Sequence, residues 1–186
     1  MNYRLIAFAA LLLGTASLVS CIDPDQTEEV ILVENKEAIE KYILDNSLTG
    51  VKEYKEVDEG FYMFWEVSVD TLLNSIKPLD TVTVNYTGRL LNNTIFDSSF
   101  EQVAKDNGVY NSQRTYAPLK FPLGTSQGAI IGFEFATSLM RKGEKATVIF
   151  PARLGYGNQG SGNIPPKAPL IFELELMDIK KGPNHD

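Results

Sequence analysis

The chain has 186 residues, of which 44% are apolar, 22% charged and 10% aromatic, with one Cys and one His. This is the composition of a globular protein; it excludes an internal disulfide, a zinc site built from several Cys and His residues, and Cys-His or Ser-His-Asp catalysis. The formal charge of −7 arises mainly from residues 22–59, which hold 12 acidic and 4 basic residues, whereas residues 60–186 hold 12 of each. A near-neutral domain has no charged footprint for phosphate backbones, so nucleic acid is not expected as a partner.

The N-terminus has the pattern of an export signal. Residues 1–4 contain one Arg, and residues 5–19 are uncharged. That run is shorter than the roughly 20 residues a membrane-spanning helix needs, but it suits a signal peptide. It ends in LVSC, which resembles the lipobox of bacterial lipoproteins. The pattern predicts a signal peptide over residues 1–20 and a lipid on Cys21; the alternative is an ordinary signal peptide with an incidental Cys.

A lipidated Cys21 places the protein in the cell envelope, attached to a membrane through its acyl chains. The next residue is Ile22 rather than Asp, which in Gram-negative sorting favours the outer membrane. The expected location is therefore the outer membrane of a Gram-negative bacterium, with the periplasmic and surface faces both left open. Residues 21–34, acidic and weakly patterned, are expected to form a tether.

A helical extension is expected over residues 35–59. Ala38, Ile39, Tyr42 and Ile43 share one apolar face of a helix over residues 36–46. Asn35 is the expected N-cap. The predicted role of this helix is docking onto the domain, without a part in the chemistry.

From residue 60 onward the apolar pattern has period two. It predicts strands over residues 60–69, 81–91, 145–150 and 170–179, with a tight turn at residues 92–93 leading into a further segment at 94–96, in an antiparallel sheet of four or five strands with one face in water. One helix over residues 129–140 carries an apolar stripe that would cover the other face, which gives an α+β fold. A second short helix is expected over residues 101–107.

A glycine-rich segment follows the third strand. Residues 155–160 read GYGNQG, which matches the spacing of a dinucleotide-binding motif, but Gly162 and two prolines follow where that motif requires a helix. Residues 155–169 hold 4 Gly and 3 Pro, which indicates a long shaped loop. Long loops in compact domains are usually functional.

Eight short motifs occur in the order found in FKBP-type peptidyl-prolyl cis-trans isomerases, and the chain resembles that family over about residues 60–181. The motifs are DTVTVNYTG at 80–88, FDSS at 96–99, FPLG at 121–124, GFE at 132–134, GEK at 143–145, LGYG at 154–157, IPP at 164–166 and LIFELEL at 170–176. The resemblance implies a curved antiparallel sheet wrapped on one short helix, with residues 182–186 left as a C-terminal tail.

The resemblance also implies the residues of an active pocket. The implied catalytic residues are Tyr86, Asp97 and Tyr156. The implied substrate-binding residues are Phe96, Leu119, Ala129, Ile130, Phe133, Ile164 and Phe172. Among them, Tyr86, Phe96 and Phe172 would form walls, Phe133 the floor, and the Tyr156 hydroxyl and the Ile130 N–H would donate to a substrate carbonyl. Core packing is the alternative role of the three phenylalanines.

Two pocket positions and one segment depart from the family's usual pattern. Phe133 stands where Trp is usual, Leu119 stands where Phe is usual, and about a dozen extra residues lie within residues 100–118. That insertion is expected beside the pocket. The implied partners are proline-containing polypeptide clients, with macrolide inhibitors as ligands of the same pocket.

The implied reaction fits a chain with a single His. Rotation of an X-Pro bond is slow because amide resonance opposes it, with a barrier of roughly 20 kcal/mol, and no proton has to move. The sequence therefore predicts a prolyl isomerase acting on exported proteins, with no metal and no cofactor. The alternatives are a non-catalytic peptide-binding chaperone and an adaptor lipoprotein on the same fold.

Overall fold

The computed structural model describes residues 27–69, 76–125 and 128–185. The helices are α1 (Glu28–Asp45), α2 (Glu101–Asp106) and α3 (Ile131–Ser138). The strands are β1 (Lys52–Glu56), β2 (Phe61–Val67), β3 (Thr81–Leu90), β4 (Ile95–Ser98), β5 (Leu119–Pro122), β6 (Lys145–Phe150) and β7 (Leu170–Lys180).

Residues 1–26 lie outside the described residues, and with them the predicted signal peptide, the lipidation residue Cys21 and the start of the predicted tether. Among the helices that the structure does describe, none has the length and apolar content to span a membrane.

The seven strands form one antiparallel sheet in the order β1-β2-β6-β7-β3-β4, and β5 pairs with the first half of β3. The long strands β3 and β7 lie side by side over their whole length, from the pair Thr81 and Lys180 to the pair Leu90 and Leu170. Helix α3 packs Phe133 and Ala136 into the main core on one face of this sheet. The predicted α+β class is confirmed, with more strands than expected.

The predicted start of the N-terminal helix is wrong. Helix α1 begins at Glu28, and its N-cap is Thr27, whose hydroxyl accepts a hydrogen bond from the Val30 N–H at 3.3 Å. Asn35 lies inside the helix and is buried. The acidic residues before Asn35 were interpreted as a tether and not as the first turns of a helix. Carboxylates in a first turn are nevertheless favourable, because they lie beside the positive end of the helix. Most of the tether predicted over residues 21–34 is therefore helical where the structure describes it.

The prediction that one sheet face is in water is also wrong at one end of the sheet. Helix α1 packs Ile39 and Tyr42 onto that face, against side chains of β2, β6 and β7. All five residues from Phe61 to Trp65 are consequently buried, since α1 covers one side of β2 and the main core the other. The helix thus docks on the domain, as the sequence predicted.

Two strands were missing from the sequence prediction. Strand β1, inside the predicted helical extension over residues 35–59, has the sequence KEYKE and pairs with β2 at the edge of the sheet. Charged side chains are common on edge strands, and they obscure the period-two signal. Strand β5 has four residues and includes a proline, so its pattern was too short to identify.

The predicted C-terminal tail, residues 182–186, packs against the domain as far as residue 185. The Gly182 N–H donates to Asp80 Oδ1 at 2.7 Å, and His185 Nε2 lies 2.7 Å from Asp80 Oδ2. Asp80 is fully buried at the start of β3. The single His of the chain therefore belongs to a contact that closes the C-terminus onto the sheet.

A buried carboxylate, Glu144, ties the turn before β6 to β2. It accepts hydrogen bonds from Trp65 Nε1 at 2.8 Å, from the Arg141 N–H at 2.9 Å, and from Ser68 Oγ and the Val69 N–H at 3.1 Å each. Burial alone would raise the pKa of Glu144, but these donors outweigh it and hold the pKa below its ordinary value of 4.5. The charged form is therefore the one that the fold stabilises.

Glu144→Gln is expected to lower the free energy of unfolding at neutral pH by about 2–3 kcal/mol, because an amide cannot accept from all these donors. In the unfolded chain Glu144 takes up a proton near pH 4.5, and in the folded chain it does so only at lower pH. The stability contributed by the Glu144 carboxylate is therefore fully present above pH 4.5 and is lost as the pH falls below that value. Urea unfolding of parent and variant should converge in acid. A constant difference from neutral pH to about pH 3 would contradict this account.

Candidate functional site

A cavity of about 170 Å³ opens between β3, β4, β7 and α3. Its lining comprises Tyr86, Phe96, Asp97, Leu119, Gly128, Ala129, Ile130, Phe133, Tyr156 and Phe172. Nine of these ten were predicted as site residues, and the addition is Gly128. The structure therefore brings the predicted residues together around one hollow, although they come from separate segments of the chain.

The aromatic rings of this cavity pack edge to face. Phe133 is nearly perpendicular to Tyr86 and to Phe172, with ring centroids 5.6 and 5.2 Å away, and Phe96 meets Phe172 at 82° and 5.5 Å. Such contacts contribute beyond the area they bury, since the edge of one ring faces the electron-rich face of the next. Phe133 and Phe172 are almost wholly buried, so they belong to the main core and line the cavity at once.

Gly88 on β3 makes room for this wall. A Cβ atom at Gly88 would lie 2.5 Å from Phe96 Cε2 and 2.8 Å from Phe172 Cε1, closer than real Cβ atoms come. Gly88 pairs with Asp97 on β4 and with Phe172 on β7. The absent side chain therefore lets both aromatic rings lie over the strand.

Gly88→Ala is expected to displace the two rings, lower the free energy of unfolding by about 1–3 kcal/mol and weaken ligand binding in the cavity. Thermal unfolding and ligand titration measure the two effects. Gly108→Ala is the control, because a Cβ there meets nothing within 4 Å and only its left-handed φ of 71° opposes the change. If Gly88→Ala binds a cavity ligand with the affinity of the parent, the positions of the Phe96 and Phe172 rings do not matter for binding.

Three polar side chains form a network on one side of the cavity. The Tyr86 hydroxyl donates to Asp97 Oδ2 at 2.6 Å, and Arg114 Nη2 donates to the Tyr86 oxygen at 2.7 Å. Arg114 Nη1 also pairs with Asp97 Oδ1, which accepts in addition from the Ser98 N–H. Burial and the Asp97 hydrogen bond raise the pKa of Tyr86 above its ordinary value, so the phenol stays neutral. The network fixes the carboxylate at the rim of an otherwise apolar hollow.

Arg114 was not among the predicted site residues. It comes from the insertion within residues 100–118, which the sequence placed beside the pocket without assigning a contact. Within that segment Arg114 stacks over Tyr116 at 5.0 Å, and Tyr116 in turn stacks on Tyr110 at 5.5 Å. The Arg114 N–H donates to the Asn111 carbonyl. The insertion is thus a compact loop that directs the guanidinium to Asp97.

Two residues that line the cavity carry a hydrogen-bond donor without a partner among the residues that the structure describes. One is the Tyr156 hydroxyl, on a side chain 37% exposed; burial and the nearby charge of Asp97 raise the pKa of Tyr156, so the group remains a donor. The other is the N–H of Ile130, the residue preceding α3, whose own carbonyl accepts from Glu134 N–H. These are the two donors that the sequence predicted.

Ile164 lies beside the cavity rather than in it. It lines an adjoining hollow of about 290 Å³ together with residues 161–163, and the two hollows share Phe96, Asp97 and Tyr156. The cavity and this second hollow together form an extended groove, and the loop over residues 155–169 forms one side of it. A chain bound in the cavity can continue along this groove.

A larger cavity, of about 370 Å³, lies at the opposite side of α3 and contains none of the predicted site residues. Its lining includes Ile76, Leu123, Ile131 and Phe135. For the part of the chain that the structure describes, no group of three or more His, Cys, Asp or Glu side chains is close enough to hold a metal ion.

Comparison with known proteins gives consistent matches. Residues 74–177 match the family described as FKBP-type peptidyl-prolyl cis-trans isomerase. The chain is 37% identical over 110 residues to FK506-binding protein 2 of Debaryomyces hansenii, covering 59% of this chain and 71% of that protein. It is 31% identical over 156 residues to FKBP-type peptidyl-prolyl cis-trans isomerase FkpA of Escherichia coli, covering 80% of this chain and 52% of that protein.

Among solved structures, the crystal structure of FkpA from Escherichia coli is similar, with a TM-score of 0.59 and 26% sequence identity. The match covers 83% of this chain and 63% of that one. The chain thus spans only about half the length of this bacterial relative, and a larger share of the fungal one.

Proposed function

The chain belongs to the FKBP-type peptidyl-prolyl cis-trans isomerases, and from this premise we propose that the aromatic cavity at Phe133 is where it accelerates rotation about X-Pro bonds. The observation that carries the proposal is the convergence of Tyr86, Phe133 and Phe172 on one hollow, whose lining also carries the Tyr156 hydroxyl and the Ile130 N–H, both without a partner among the described residues. The proline ring would rest on Phe133 between the other aromatic side chains.

The cavity favours the twisted imide over the planar one. In the planar imide, resonance places positive charge on nitrogen and negative charge on oxygen, and water stabilises that separation. Walls of phenyl rings remove the water, which disfavours the planar form, whereas the twisted form has less charge separation to solvate. Only interactions that are stronger in the transition state than in the ground state accelerate the reaction. Desolvation by the aromatic walls is an interaction of this kind.

The donors and the carboxylate hold the bound peptide in place. Tyr156 Oη and the Ile130 N–H donate to substrate carbonyls, which orients the chain across the cavity. Tyr86 and Arg114 hold Asp97 in the cavity lining, where its carboxylate can accept a hydrogen bond from an N–H of the bound peptide. No step transfers a proton. The groove at Ile164 accommodates residues beyond the proline.

The test is the cis-trans relaxation of a short X-Pro peptide with catalytic amounts of the purified protein. We expect acceleration by the parent, competitive inhibition by a macrolide that occupies the cavity, and loss of most acceleration in Tyr156→Phe plus Asp97→Leu. If the parent shows no acceleration and the double variant still suppresses aggregation of other proteins, the non-catalytic chaperone is supported instead.

We propose further that the mature protein begins at a lipidated Cys21 and acts on exported proteins in the cell envelope. The support is the lipobox-like sequence LVSC at the end of the uncharged run over residues 5–19. Six residues lie between Cys21 and Glu28, so the distance between these two residues is at most about 25 Å when the segment is extended. The isomerase domain would therefore work close to the lipid surface rather than on a long tether.

Mass spectrometry of the N-terminal peptide from the native host tests the anchor. We expect an acylated Cys21 in the membrane fraction and release of the protein into the soluble fraction in Cys21→Ala. An unmodified Cys21 in the mature protein, or cleavage at another residue, would contradict the proposal.

A further inference from the structure

Helix α1 contacts the loop that carries Tyr156, and it does so through an amide side chain. Asn35 is 6% exposed and lies on the buried face of α1, one helical turn from Ile31 and one from Ile39. Asn is a poor helix former and is seldom buried, because its amide needs hydrogen-bond partners. Its partners here therefore indicate what the residue does.

Both partners are backbone groups, one just before the loop over residues 155–169 and one within it. Asn35 Oδ1 accepts from the Ala152 N–H at 2.8 Å, and Asn35 Nδ2 donates to the Lys167 carbonyl at 3.1 Å. Ala152 precedes Tyr156 by four residues, and Lys167 follows Ile164 by three. One side chain thus joins the two ends of the segment that forms one side of the groove.

The loop's own hydrogen bonds complete a ring with Asn35. The Gly157 N–H donates to the Ala152 carbonyl at 2.8 Å, and the Lys167 N–H donates to the Gly157 carbonyl at 2.9 Å. Gly157 directly follows Tyr156. Lys167 has a φ of 61°, a left-handed conformation that residues other than glycine seldom adopt. Asn35 closes the ring beside the residue whose hydroxyl faces the cavity.

Apolar packing between α1 and the loop is incomplete. A hollow of about 160 Å³ lies between them and is lined by Ile31, Asn35, Pro151 and Gly157 among others. Where side chains leave a gap, the position of a loop depends on the hydrogen bonds that cross it. The Asn35 amide supplies two such bonds.

We propose that Asn35 is a positioning residue for catalysis: it sets the loop so that Tyr156 and Ile164 face the substrate, which makes α1 part of the active site's support. The proposal rests on the proposed function of the cavity. Displacement of a donor by about 1 Å can lower a rate by as much as a hundredfold, so the loss of Asn35 should reduce catalysis without unfolding the domain.

The first measurement compares kcat/KM of Asn35→Ala with that of Ile39→Ala in the full chain. Ile39 is a fully buried residue of the same helix that packs on the sheet and not on the loop. We expect kcat/KM to fall about tenfold in Asn35→Ala and to stay within twofold in Ile39→Ala, although urea unfolds Ile39→Ala at least as easily. If Ile39→Ala fails to fold, Tyr42→Phe replaces it; this variant keeps the ring and loses the hydroxyl that donates to Asn93 Oδ1.

The second measurement is a double-mutant cycle with Tyr156→Phe. If Asn35 acts through Tyr156, the combined variant should lose little more activity than Tyr156→Phe alone. Asn35→Asp keeps the acceptor for the Ala152 N–H and loses the donor to Lys167, so its activity should lie between those of parent and Asn35→Ala. Additive losses in the cycle, or equal losses in Asn35→Ala and Ile39→Ala, would overturn the proposal.

Amide hydrogen exchange separates this proposal from that for the cavity. We expect the Ala152 and Lys167 amides to exchange faster in Asn35→Ala than in Ile39→Ala, whatever the substrate. If the parent protein does not accelerate X-Pro rotation, the proposed function is contradicted. The exchange rates still test whether Asn35 holds the loop. Unchanged exchange in Asn35→Ala contradicts the contact itself.

Discussion

Phe172→Leu is expected to lower kcat/KM for a short X-Pro peptide about tenfold to a hundredfold, or roughly 1.4–2.8 kcal/mol of transition-state binding. The Phe172 ring contacts Tyr86, Phe96 and Phe133 and forms the wall nearest the cavity floor. Leucine keeps part of the apolar volume but leaves a gap through which water reaches the imide. The planar form is then solvated again, and the preference for the twisted form falls.

Phe61→Leu is the matched control for this change. Phe61 is as buried as Phe172 and lies in the same core cluster, but it does not line the cavity. Both variants should lose about 1–2 kcal/mol of stability, less than the 3–5 kcal/mol that truncation of Phe to Ala costs. Equal losses of activity in the two variants would show that stability, and not the wall, controls the rate.

Asp97→Leu is expected to lower kcat/KM by a similar factor while changing the free energy of unfolding by only about 1 kcal/mol. The small effect on stability follows because the pair with Arg114 is about a third exposed. The effect on activity is larger, because the cavity loses a lining carboxylate and the Tyr86 hydroxyl loses its acceptor, while the Arg114 charge beside the cavity loses the carboxylate that balanced it. Steady-state kinetics and urea unfolding measure the two quantities.

Two further variants make this prediction specific. Adding Arg114→Leu to Asp97→Leu removes the unpaired charge and should recover part of the activity, whereas Arg114→Leu alone should weaken it. Asp178→Leu, which breaks an exposed pair with Lys142, should leave kcat/KM unchanged. Full activity in Asp97→Leu would mean that the carboxylate has no part in binding or rotation.

Much of the fold could be predicted because one side chain in two is apolar along the long strands. Val82 and Val84 on β3 and Leu174 and Leu176 on β7 point into the core, and their neighbours do not. The same rule failed on β2, where a residue such as Phe64 alternates correctly but is buried by α1 on the second face. Periodicity reports the pattern of a strand and not what covers it.

The site residues could be predicted only where they belong to a recognisable sequence motif. The aromatic residues of the cavity came from motifs in a known order, and the structure places them around one hollow. Arg114 gave no such signal, because it lies in an insertion and its contact with Asp97 depends on how that loop folds. Asn35 resembled an N-cap, since nothing in the sequence reveals that Ala152 and Lys167 lie beside it.

Catalysis by desolvation is tested most directly by kcat/KM for a short X-Pro peptide, measured from about pH 6 to pH 9. Catalysis by desolvation requires no titrating group, and the pKa values of Tyr86 and Tyr156 are both raised above their ordinary 10. We expect a clear acceleration over the uncatalysed reaction that is the same across this range. An unaccelerated reaction, or a rate that follows the titration of one group between these limits, would contradict it.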